Sequence, residues 1–439
     1  MLTTRRPRIS VIGTGYLGTT HAVGMASLGY EVTGMDIDQN KIAMLVDGEA
    51  PFYEPGLTEL LRKNIEAGRL RFTTSYEKAV ADADVHFVCA GTPQLAGSYR
   101  ADLRWVEAAF TDLAPHLHGP ALVVGKSTVP VGTARRMAEI VRRHAPSGAY
   151  HEVAWNPEFL REGRAVEDTL RPDRLVFGVA SPWAEELLYR VYQPIIEDDC
   201  PAVVTDYETA ELVKTSANAF LGLKISFINA MAQICEATGG DVLRLAEALG
   251  HDDRIGHAFL GPGLGFGGGC LPKDIRALLA CTTDLGLHDV ATLLAQVDAI
   301  NLSRRSRTVA LGRELLDGSY EGKNVCVLGA AFKPNTDDVR DSPALAVAIA
   351  VQQEGAEVVV HDSVAGANAR RTHPELAYAD SLVEAAQDAD LVMVLTDWTE
   401  FRSMDPAVLS PLVRRRTVVD ARNCLSPESW RAAGWEYRA

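Results

Sequence analysis

Two regions of this chain share an alternation of short apolar runs and helical segments, and this alternation constrains the fold more than any other feature. In the first region the run 8–13 ends in glycine, a small-residue helical stretch covers 18–28, and a second run ends at Asp36. In the last quarter, the runs 324–329 and 357–362 repeat the pattern. Strands that alternate with helices predict βαβ units and parallel sheets with helices on both faces. The chain is therefore predicted to be an α/β protein with two such halves.

The segment between the two halves lacks strand signals and is predicted to be helical. Residues 206–238 have helical periodicity with an Asp at the start and Gly239 at the end, and 289–317 contain no breaker until Gly312. We therefore expect three domains: an amino-terminal Rossmann-like domain (1–204), an all-helical domain with a long spine helix (205–317) and a carboxy-terminal Rossmann-like domain (318–439). The spine is the segment 289–317, which is also a candidate dimer contact.

Composition and charge exclude several classes of protein. Of 439 residues, 47% are hydrophobic and 23% are charged, which is close to globular averages. The net charge of −15 disfavours nucleic acid or an anionic membrane as a partner, and we interpret the basic cluster 304–307 as a solvated face. Seven cysteines without CxxC pairs indicate a reducing compartment, and we find no metal-site motif and no apolar span of membrane length. We expect a cytoplasmic protein without a metal.

The sequence Gly13-Thr14-Gly15-Tyr16-Leu17-Gly18 is a complete GxGxxG that follows one predicted strand and opens a helix. Its glycines allow a tight turn and close approach of a pyrophosphate to the helix amino terminus. Asp36 ends the next strand, where a carboxylate accepts hydrogen bonds from ribose hydroxyls and repels a 2′-phosphate. This predicts NAD rather than NADP; a ligand-free turn and a strand-end cap are the structural alternatives.

The second α/β half departs from this fingerprint. After Gly329 it continues Ala-Ala-Phe-Lys, which places Phe332 and Lys333 where a dinucleotide would need bare backbone. We expect this half to hold a smaller anionic group, with Lys333 and Arg340 as its charge partners. A purely structural role for the two cations is the alternative.

The stretch 261–274 contains six glycines in its first nine residues, followed by Cys270, Leu271, Pro272, Lys273 and Asp274. Ordering so many glycines costs conformational entropy, so we expect the backbone to pass close to a ligand. Pro272 suits the first turn of a helix, which places Cys270 at a helix amino terminus with Lys273 beside it. Both features favour a thiolate nucleophile. We interpret the other cysteines, 89, 200, 235, 281, 326 and 424, as buried and inert.

Glu211, Lys214 and Asn218 fall on one face of the central helix. Their apolar neighbours suggest that this helix is largely buried, and a buried lysine beside an oxyanion is an electrostatic stabiliser. Glu158 lies in a turn after a predicted strand, at the edge of the sheet where such folds bind ligands. A solvated polar stripe and an ordinary surface glutamate are the alternatives.

With these motifs in order, the chain resembles the UDP-glucose/GDP-mannose dehydrogenase family over nearly its whole length. Two positions depart from the usual pattern of this family without touching a chemical role: Gly269 stands where the family usually has serine, and the strand 34–36 reads Gly-Met-Asp. The resemblance rests on GTGYLG from Gly13, YEPGL from Tyr53, Gly91-Thr92-Pro93, KSTVP from Lys126, NPEFLREG from Asn156, ELVK from Glu211 with Asn218, Arg254-Ile255-Gly256, GFGGGCLPKD from Gly265, and Phe332-Lys333 with Asp338-Val339-Arg340.

The resemblance implies NAD-dependent oxidation of the C6 alcohol of a nucleotide sugar to a carboxylate, in two steps. Cys270 would add to the intermediate aldehyde as a thiohemiacetal, which is oxidised to a thioester and then hydrolysed. Lys214 and Asn218 would stabilise the oxyanions, and Asp274 would order a water near Lys214. Glu158 would be the general base for water attack, assisted by Thr128.

The resemblance also implies the binding residues and a partner subunit. A homodimer through the central domain is expected, because the partner subunit would donate Arg254. The implied cofactor contacts are Gly13, Gly15, Tyr16, Leu17, Gly18, Asp36, Lys41, Thr92, Thr128, Glu162, Lys273 and Arg340. The implied substrate contacts are Glu158, Phe159, Leu160, Arg161, Glu162, Lys214, Asn218, Arg254, Phe259, Leu260, Gly263, Gly265, Phe266, Gly267, Cys270, Phe332 and Lys333.

Three alternatives remain at this point. Arg254-Ile255-Gly256 with Phe259-Leu260 favours UDP-glucose as substrate, while GDP-mannose, dTDP-glucose and UDP-N-acetyl sugars stay open. A single-step β-hydroxyacid dehydrogenase would have no use for Cys270 or for the second α/β half. A regulator that binds NAD or nucleotide sugars without chemistry is disfavoured by the complete set of Glu158, Lys214, Cys270 and Asp274.

Overall fold

The computed structural model describes residues 5–148 and 150–439. The chain divides into two compact units, Met1–Ala217 and Asn218–Ala439. Each unit is described by itself below.

The first unit is built on one twisted sheet. Its strand order in the described part of the unit is β3-β2-β1-β4-β5-β6-β7-β8, and neighbouring strands are parallel except β6 and β7, which meet antiparallel at Trp155 and Gly178. The strands are β1 (Ile9–Ile12), β2 (Val32–Met35), β3 (Leu70–Thr73), β4 (Val85–Val88), β5 (Ala121–Gly125), β6 (His151–Trp155), β7 (Leu175–Gly178) and β8 (Ala202–Thr205).

Helices cover both faces of this sheet, and an apolar core lies on each side of it. A short 3-10 helix spans Ala114–His116, and a further helix, α9, begins here and continues into the second unit as Tyr207–Thr238. The other helices are α1 (Tyr16–Ser27), α2 (Gln39–Val46), α3 (Leu57–Glu66), α4 (Tyr76–Val80), α5 (Arg104–Leu113), α6 (Thr133–His144), α7 (Ala165–Leu170) and α8 (Pro182–Ile196).

The second unit begins with helices and ends with a second sheet. The helices before the sheet are α10 (Val242–Gly250), α11 (Leu271–Asp284) and α12 (His288–Leu315). All neighbouring strands in the described sheet are parallel, in the order β11-β10-β9-β12-β13-β14. Its strands are β9 (Asn324–Leu328), β10 (Glu357–His361), β11 (Ala377–Tyr378), β12 (Leu391–Val394), β13 (Thr417–Asp420) and β14 (Glu436–Arg438). Its helices are α13 (Pro343–Gln353), α14 (Gly366–Thr372), α15 (Leu382–Ala386), α16 (Thr399–Arg402), α17 (Pro406–Leu409) and α18 (Pro427–Ala432).

The predicted α/β class and the helical region between two sheets are confirmed. The long periodic segments become α9 and α12, each within two residues of the expected start and end. The antiparallel contact of β6 with β7 departs from the prediction of parallel sheets, so the first sheet is not parallel throughout. In each unit, loops at the carboxyl ends of the central strands carry candidate site residues. These are the loops after β1, β4, β5 and β6 in the first unit and the loop after β9 in the second.

Candidate active site

The glycine-rich turn between β1 and α1 leaves the amino end of α1 open. Gly13 has a φ of +89°, and a Cβ on Gly18 would lie 1.8 Å from the carbonyl oxygen of Gly13, so neither position tolerates a side chain. At Gly15, the N-cap, no described atom lies within 4 Å of the position of a Cβ. The first turn, Tyr-Leu-Gly-Thr, holds no acidic side chain. This uncapped helix end fits the pyrophosphate of a dinucleotide.

Asp36 follows β2 and is held in its ionised form. Its carboxylate accepts hydrogen bonds from the backbone N–H of Thr14 at 2.8 Å and of Asp38 at 3.0 Å, and it pairs with Lys41 Nζ at 2.8 Å. Burial alone would raise the pKa of Asp36, but these donors bring it below the ordinary value. A fixed negative charge therefore lies at the end of β2, the position at which folds of this kind bind the adenosine ribose, and the ribose contact itself stays a prediction.

The loops after β4 and β5 are joined by a hydrogen bond between two predicted cofactor contacts. The Thr92 hydroxyl donates to the carbonyl oxygen of Thr128 at 2.9 Å. This bond aligns the two loops along the carboxyl edge of the sheet, beside the open end of α1.

Asp362 shows why the second sheet does not repeat the ribose contact. It occupies the strand-end position that corresponds to Asp36, and its carboxylate accepts from the backbone N–H of Ala330 at 2.8 Å and of Ala365 at 2.8 Å. Ala331 N–H, Val364 N–H and the Trp398 indole N–H also donate to it, each at 3.0 Å. The protein itself thus supplies the hydrogen bonds that a ribose would make to this carboxylate.

Phe332 also differs from what a dinucleotide loop needs. Its ring lies against the glycine loop, 2.7 Å from where a Cβ on Gly268 would stand, and Lys333 Nζ lies 5.4 Å from the centre of the same ring. The second unit therefore presents a bulky ring and a cation at this point, as the sequence predicted.

Glu158 and Lys214 form an ion pair in the first unit, in which Lys214 is buried and Glu158 is largely covered. Lys214 Nζ lies 3.1 Å from Glu158 Oε1, and the Leu160 N–H donates to Glu158 Oε2 at 2.6 Å. The Phe159 ring lies below Lys214 Nζ, with 5.6 Å to the ring centre. The structure thus brings together a candidate base and a candidate oxyanion stabiliser and excludes the surface alternative for both.

Glu211, the third polar residue on this helix face, serves a structural purpose. Its carboxylate accepts the backbone N–H groups of Gly132 at 2.7 Å and Ala134 at 2.6 Å, at the start of α6. Burial raises its pKa to about 7, although these hydrogen bonds oppose the shift. Lys214 therefore pairs with Glu158 from the β6 loop rather than with Glu211 on its own helix.

Cys270 is exposed and is the N-cap residue of α11 in the second unit, with Pro272 in the first turn. Asp274 is buried one turn later and accepts from Asn218 Nδ2 at 2.6 Å. Lys273 Nζ also bonds to Asp274. The structure therefore confirms the predicted helix-end position of the thiol, and it joins Asn218 to Asp274.

Arg340 approaches the thiol loop from the carboxy-terminal half of this unit. Its guanidinium carbon would lie 2.4 Å from a Cβ on Gly269, the residue before Cys270, and the same side chain pairs with Asp338 at 2.6 Å. A positive charge therefore lies against the backbone beside the thiol. The glycine at this position leaves room for it.

The glycine loop is held by protein contacts to an extent that the sequence did not indicate. A Cβ on Gly263 would lie 2.7 Å from the carbonyl oxygen of Ala421, and one on Gly267 would lie 2.3 Å from that of Asp341. A Cβ on Gly265 would lie 2.3 Å from Oδ1 of Asn301. The lack of a side chain at these positions therefore makes room for neighbouring protein, and the contacts of Gly263, Gly265 and Gly267 with the substrate stay a prediction.

Polar side chains complete the anchoring of this loop. Asn301 forms a pair of hydrogen bonds with the backbone of Phe266, at 2.7 and 2.9 Å, and Asn229 accepts the Gly263 N–H at 2.9 Å. Arg304 is buried and donates to the Gly263 carbonyl at 3.1 Å, while Arg305 pairs with Asp341 at 2.8 Å. The interpretation of the basic cluster as a solvated face is therefore wrong for Arg304 and Arg305.

Two predicted substrate contacts are engaged by neighbouring acids. Arg161 bonds through its backbone and side chain to Asp168, at 2.8 and 2.9 Å, and Arg254 is 88% exposed and paired with Asp252. Phe259 is partly exposed with a φ of +64°, whereas Leu260 is buried.

The remaining cysteines differ from expectation in exposure. Cys89, Cys200 and Cys326 are buried, as predicted, but 235, 281 and 424 are half-buried. Burial raises the pKa of the Cys89 thiol to about 12 and that of Cys281 above its ordinary value. Within the described residues, no group of His, Cys, Asp and Glu side chains could hold a metal ion, and no helix is long and apolar enough to cross a membrane.

Lys126 is a buried group whose part in the site the sequence did not reveal. Its ammonium donates to Asn156 Oδ1 at 2.8 Å and to the Tyr192 hydroxyl at 3.2 Å, and burial lowers its pKa to about 8. Asn156 lies two residues before Glu158, so Lys126 fixes the start of the loop that carries the candidate base. The KSTVP motif was the available signal, but a motif does not show that its lysine is buried.

Comparison with known protein families finds three matching models. Residues 7–196 match the NAD binding domain of the UDP-glucose/GDP-mannose dehydrogenase family, 208–303 match its central domain, and 326–427 match its UDP binding domain.

Individual relatives extend this similarity to the whole chain. A UDP-glucose 6-dehydrogenase of Rhizobium meliloti is 41% identical over 435 residues, covering 98% of both chains, and one of Bacillus subtilis is 39% identical, covering 98% of this chain and 92% of its own. Among solved structures, a UDP-glucose dehydrogenase of Pyrobaculum islandicum has a TM-score of 0.91 at 38% identity, covering 100% of this chain and 99% of its own. A UDP-D-ManNAc dehydrogenase of Pyrococcus horikoshii has a TM-score of 0.86 at 28% identity and 98% coverage of both chains.

Proposed function

Because the chain belongs to the UDP-glucose/GDP-mannose dehydrogenase family and is an NAD-dependent nucleotide-sugar dehydrogenase, we propose that it oxidises the C6 alcohol of UDP-glucose to the carboxylate of UDP-glucuronate. The observation that carries this proposal is the exposed Cys270 at the amino end of α11, with the Asn218–Asp274 hydrogen bond one turn away. A single-step alcohol dehydrogenase needs no such nucleophile, whereas an aldehyde intermediate needs one to be carried on to the acid.

The proposed division of labour follows three segments. Residues 1–204 bind NAD, 205–317 carry the catalytic lysine and cysteine and the subunit contact, and 318–439 bind the UDP moiety. The open end of α1 and the ionised Asp36 support the first assignment, and Phe332 and Lys333 support the third.

When bound, NAD supplies the oxidant, and two molecules of it take up the two electron pairs that separate an alcohol from an acid. In the first oxidation, the chain's task is to bind the sugar and to stabilise the charge on its C6 oxygen. We assign this role to the Lys214 ammonium and the Asn218 amide, because a buried cation and a fixed N–H donor stabilise an oxyanion strongly in a low dielectric.

Cys270 then retains the aldehyde. Its thiolate sulfur bonds to C6, and the former carbonyl oxygen takes a proton to give the thiohemiacetal. The second oxidation converts this group to a thioester. Asp274 positions Asn218 through their 2.6 Å hydrogen bond and orders the water near Lys214.

Glu158 completes the cycle as general base for hydrolysis of the thioester. It takes a proton from water as the water oxygen bonds to C6, the C–S bond breaks, the proton passes from Glu158 to the departing Cys270 sulfur, and the uronic acid is released. Its 3.1 Å contact with Lys214 supports this role, because the ammonium holds the carboxylate in place. Thr128, whose carbonyl is held by Thr92, assists at the neighbouring loop.

The preference for UDP-glucose is tested with a substrate panel. We expect kcat/KM for UDP-glucose to exceed that for GDP-mannose, dTDP-glucose and UDP-N-acetylglucosamine by at least about 100-fold, because a site built to hydrogen-bond one base and sugar rejects the others. NADH formation at 340 nm measures all four. A higher kcat/KM for one of the other nucleotides would contradict the assignment and identify the substrate.

A homodimer is part of the proposal. Phe220, Phe227 and Ile234 recur every seven residues on α9, so they share one helix face, and they are 62%, 45% and 54% exposed. The occupant proposed for this stripe is the same stripe of a second copy, which would also bring Arg254 to its partner's substrate.

Introducing a charge into the stripe tests the dimer. Phe227→Glu should raise the dimer dissociation constant by at least about 100-fold and lower activity in parallel, because an unpaired carboxylate is costly to bury. Val383→Glu, at an equally exposed valine of α15, is the matched control and should change neither. Sedimentation velocity at micromolar concentration measures the change, and a fully active wild-type monomer would contradict the proposal.

A further inference from the structure

One buried carboxylate of the first unit, Glu54, has no part in the chemistry derived so far. It is 5% exposed and precedes α3 in the Tyr-Glu-Pro-Gly turn. Its Oε1 accepts the Ala165 N–H at 2.7 Å, and its Oε2 accepts the Gly163 N–H at 2.8 Å and the hydroxyl of Tyr16. A single side chain therefore joins three segments that lie far apart in the sequence.

The segments joined in this way belong to two different binding sites. Tyr16 is the first residue of α1, within the GxGxxG turn that binds the dinucleotide. Gly163 ends the loop 156–163, which carries Glu158 and the predicted sugar contacts. The Gly163 N–H also approaches the Tyr16 hydroxyl oxygen at 3.2 Å, so the cofactor turn and the substrate loop meet at Glu54 directly.

The hydrogen bonds at this junction can transmit a constraint. A carboxylate acceptor makes stronger hydrogen bonds than a neutral one, and buried networks hold their members in one geometry. Burial, with the neighbouring Glu54 adding to it, raises the pKa of the Tyr16 phenol, so the hydroxyl remains a donor. A ligand that fixes the first turn of α1 therefore fixes Tyr16, Glu54 and the end of the substrate loop together.

We propose that Glu54 is a positioning residue that couples the cofactor site to the nucleotide-sugar site, so that each ligand binds more tightly when the other is present. This inference rests on the proposed function, because it takes UDP-glucose as the second ligand. Coupling between two sites is reciprocal, and a factor of about 10 is typical of such networks.

Two variants test the coupling by titration of NADH, followed by its fluorescence, with and without saturating UDP-glucose. Wild-type protein should bind NADH about 10-fold more tightly with the sugar. Glu54→Gln replaces one acceptor oxygen by an NH2 group, and the ratio of the NADH dissociation constants without and with the sugar should fall below about 3. Tyr16→Phe, which leaves both backbone N–H bonds to Glu54, should reduce the ratio similarly. If Glu54→Gln does not fold, Tyr16→Phe alone is sufficient to test the coupling.

The double variant separates coupling from simple loss of stability. Because Tyr16 and Glu54 act through one hydrogen bond, the double variant should lose no more coupling than either single variant, whereas independent structural damage would add. Glu59→Gln, an exposed glutamate of α3, is the control and should keep the wild-type ratio.

The outcomes distinguish this inference from the proposed function. Suppose that UDP-glucose binds normally and that the ratio of NADH dissociation constants without and with the sugar is the same in Glu54→Gln and Tyr16→Phe as in wild type. This result would overturn the coupling role of Glu54 and leave the proposed reaction unaffected. A wild-type ratio of 1 would overturn it as well. Failure of UDP-glucose to bind at all in calorimetry would contradict the proposed substrate and this inference with it.

Discussion

Replacement of Cys270 by serine is expected to lower the rate of uronic acid formation by about 1,000-fold or more, while the affinity for the nucleotide sugar stays within about threefold. The serine hydroxyl is not ionised at neutral pH and adds poorly to an aldehyde, so the second oxidation loses its covalent intermediate. Binding survives because serine is nearly isosteric with cysteine, so the substitution at this exposed N-cap leaves the shape of the site almost unchanged. Chromatographic separation of the sugar nucleotides after the reaction measures the uronic acid.

A matched cysteine on the same helix controls for general damage. Cys281→Ser changes a half-buried thiol of α11 whose pKa is raised by burial, and it should retain wild-type activity. If Cys270→Ser made uronic acid at the wild-type rate, the thioester pathway would be wrong.

Cofactor choice gives the second large effect. We expect kcat/KM with NADP to be at least about 100-fold below the value with NAD, because the ionised Asp36 repels a 2′-phosphate. Asp36→Asn should reduce this discrimination to below about 10-fold, mainly by raising the KM for NAD. The asparagine keeps an oxygen for the Thr14 N–H but removes the charge, and Lys41 then becomes available to a phosphate.

The control for this prediction removes a neighbouring charge instead. Asp38→Asn keeps the side-chain cap of α2, since asparagine caps a helix as well as aspartate does, and it should leave the discrimination nearly unchanged. Initial rates with both cofactors are sufficient to measure the ratio. Equal kcat/KM values for NAD and NADP in the wild type would show that Asp36 does not select the cofactor.

Local pattern was sufficient to predict most of the fold. Apolar runs that end in glycine or aspartate predicted β1, β2, β9 and β10, because burial of a parallel strand on both faces leaves a signature in a few adjacent residues. The antiparallel contact between β6 and β7 was not predictable in this way. It depends on the direction in which the chain returns to the sheet after the 156–163 loop and α7, and strand composition carries no record of direction.

Pattern predicted the reactive groups better than it predicted the groups that hold them. The thiol at the end of α11 and the Asp36 carboxylate follow from motifs whose local geometry is fixed. The contacts of Glu54 with Gly163 and Ala165 span more than 100 residues, and Lys126 meets Tyr192 across 66 residues. Such contacts exist only after folding, so no local spacing could indicate them.

The glycine loop shows a limit of what composition can predict. Its composition indicated close approach to a ligand, but Gly263 and Gly267 are required by the neighbouring carbonyls of Ala421 and Asp341. A run of glycines indicates that another group approaches the backbone closely, but it does not show whether that group is a ligand or another part of the protein. For the same reason, the burial of Arg304 against this loop could not be foreseen from a cluster of charges.

The central claim, oxidation of an alcohol to an acid at one site, is tested most directly by counting NADH formed per sugar consumed. With limiting UDP-glucose and excess NAD, the account predicts a final ratio of two NADH for each UDP-glucose, with UDP-glucuronate as the product. A ratio of one, with the aldehyde or its hydrate released, would contradict the account and remove Cys270 from its proposed role.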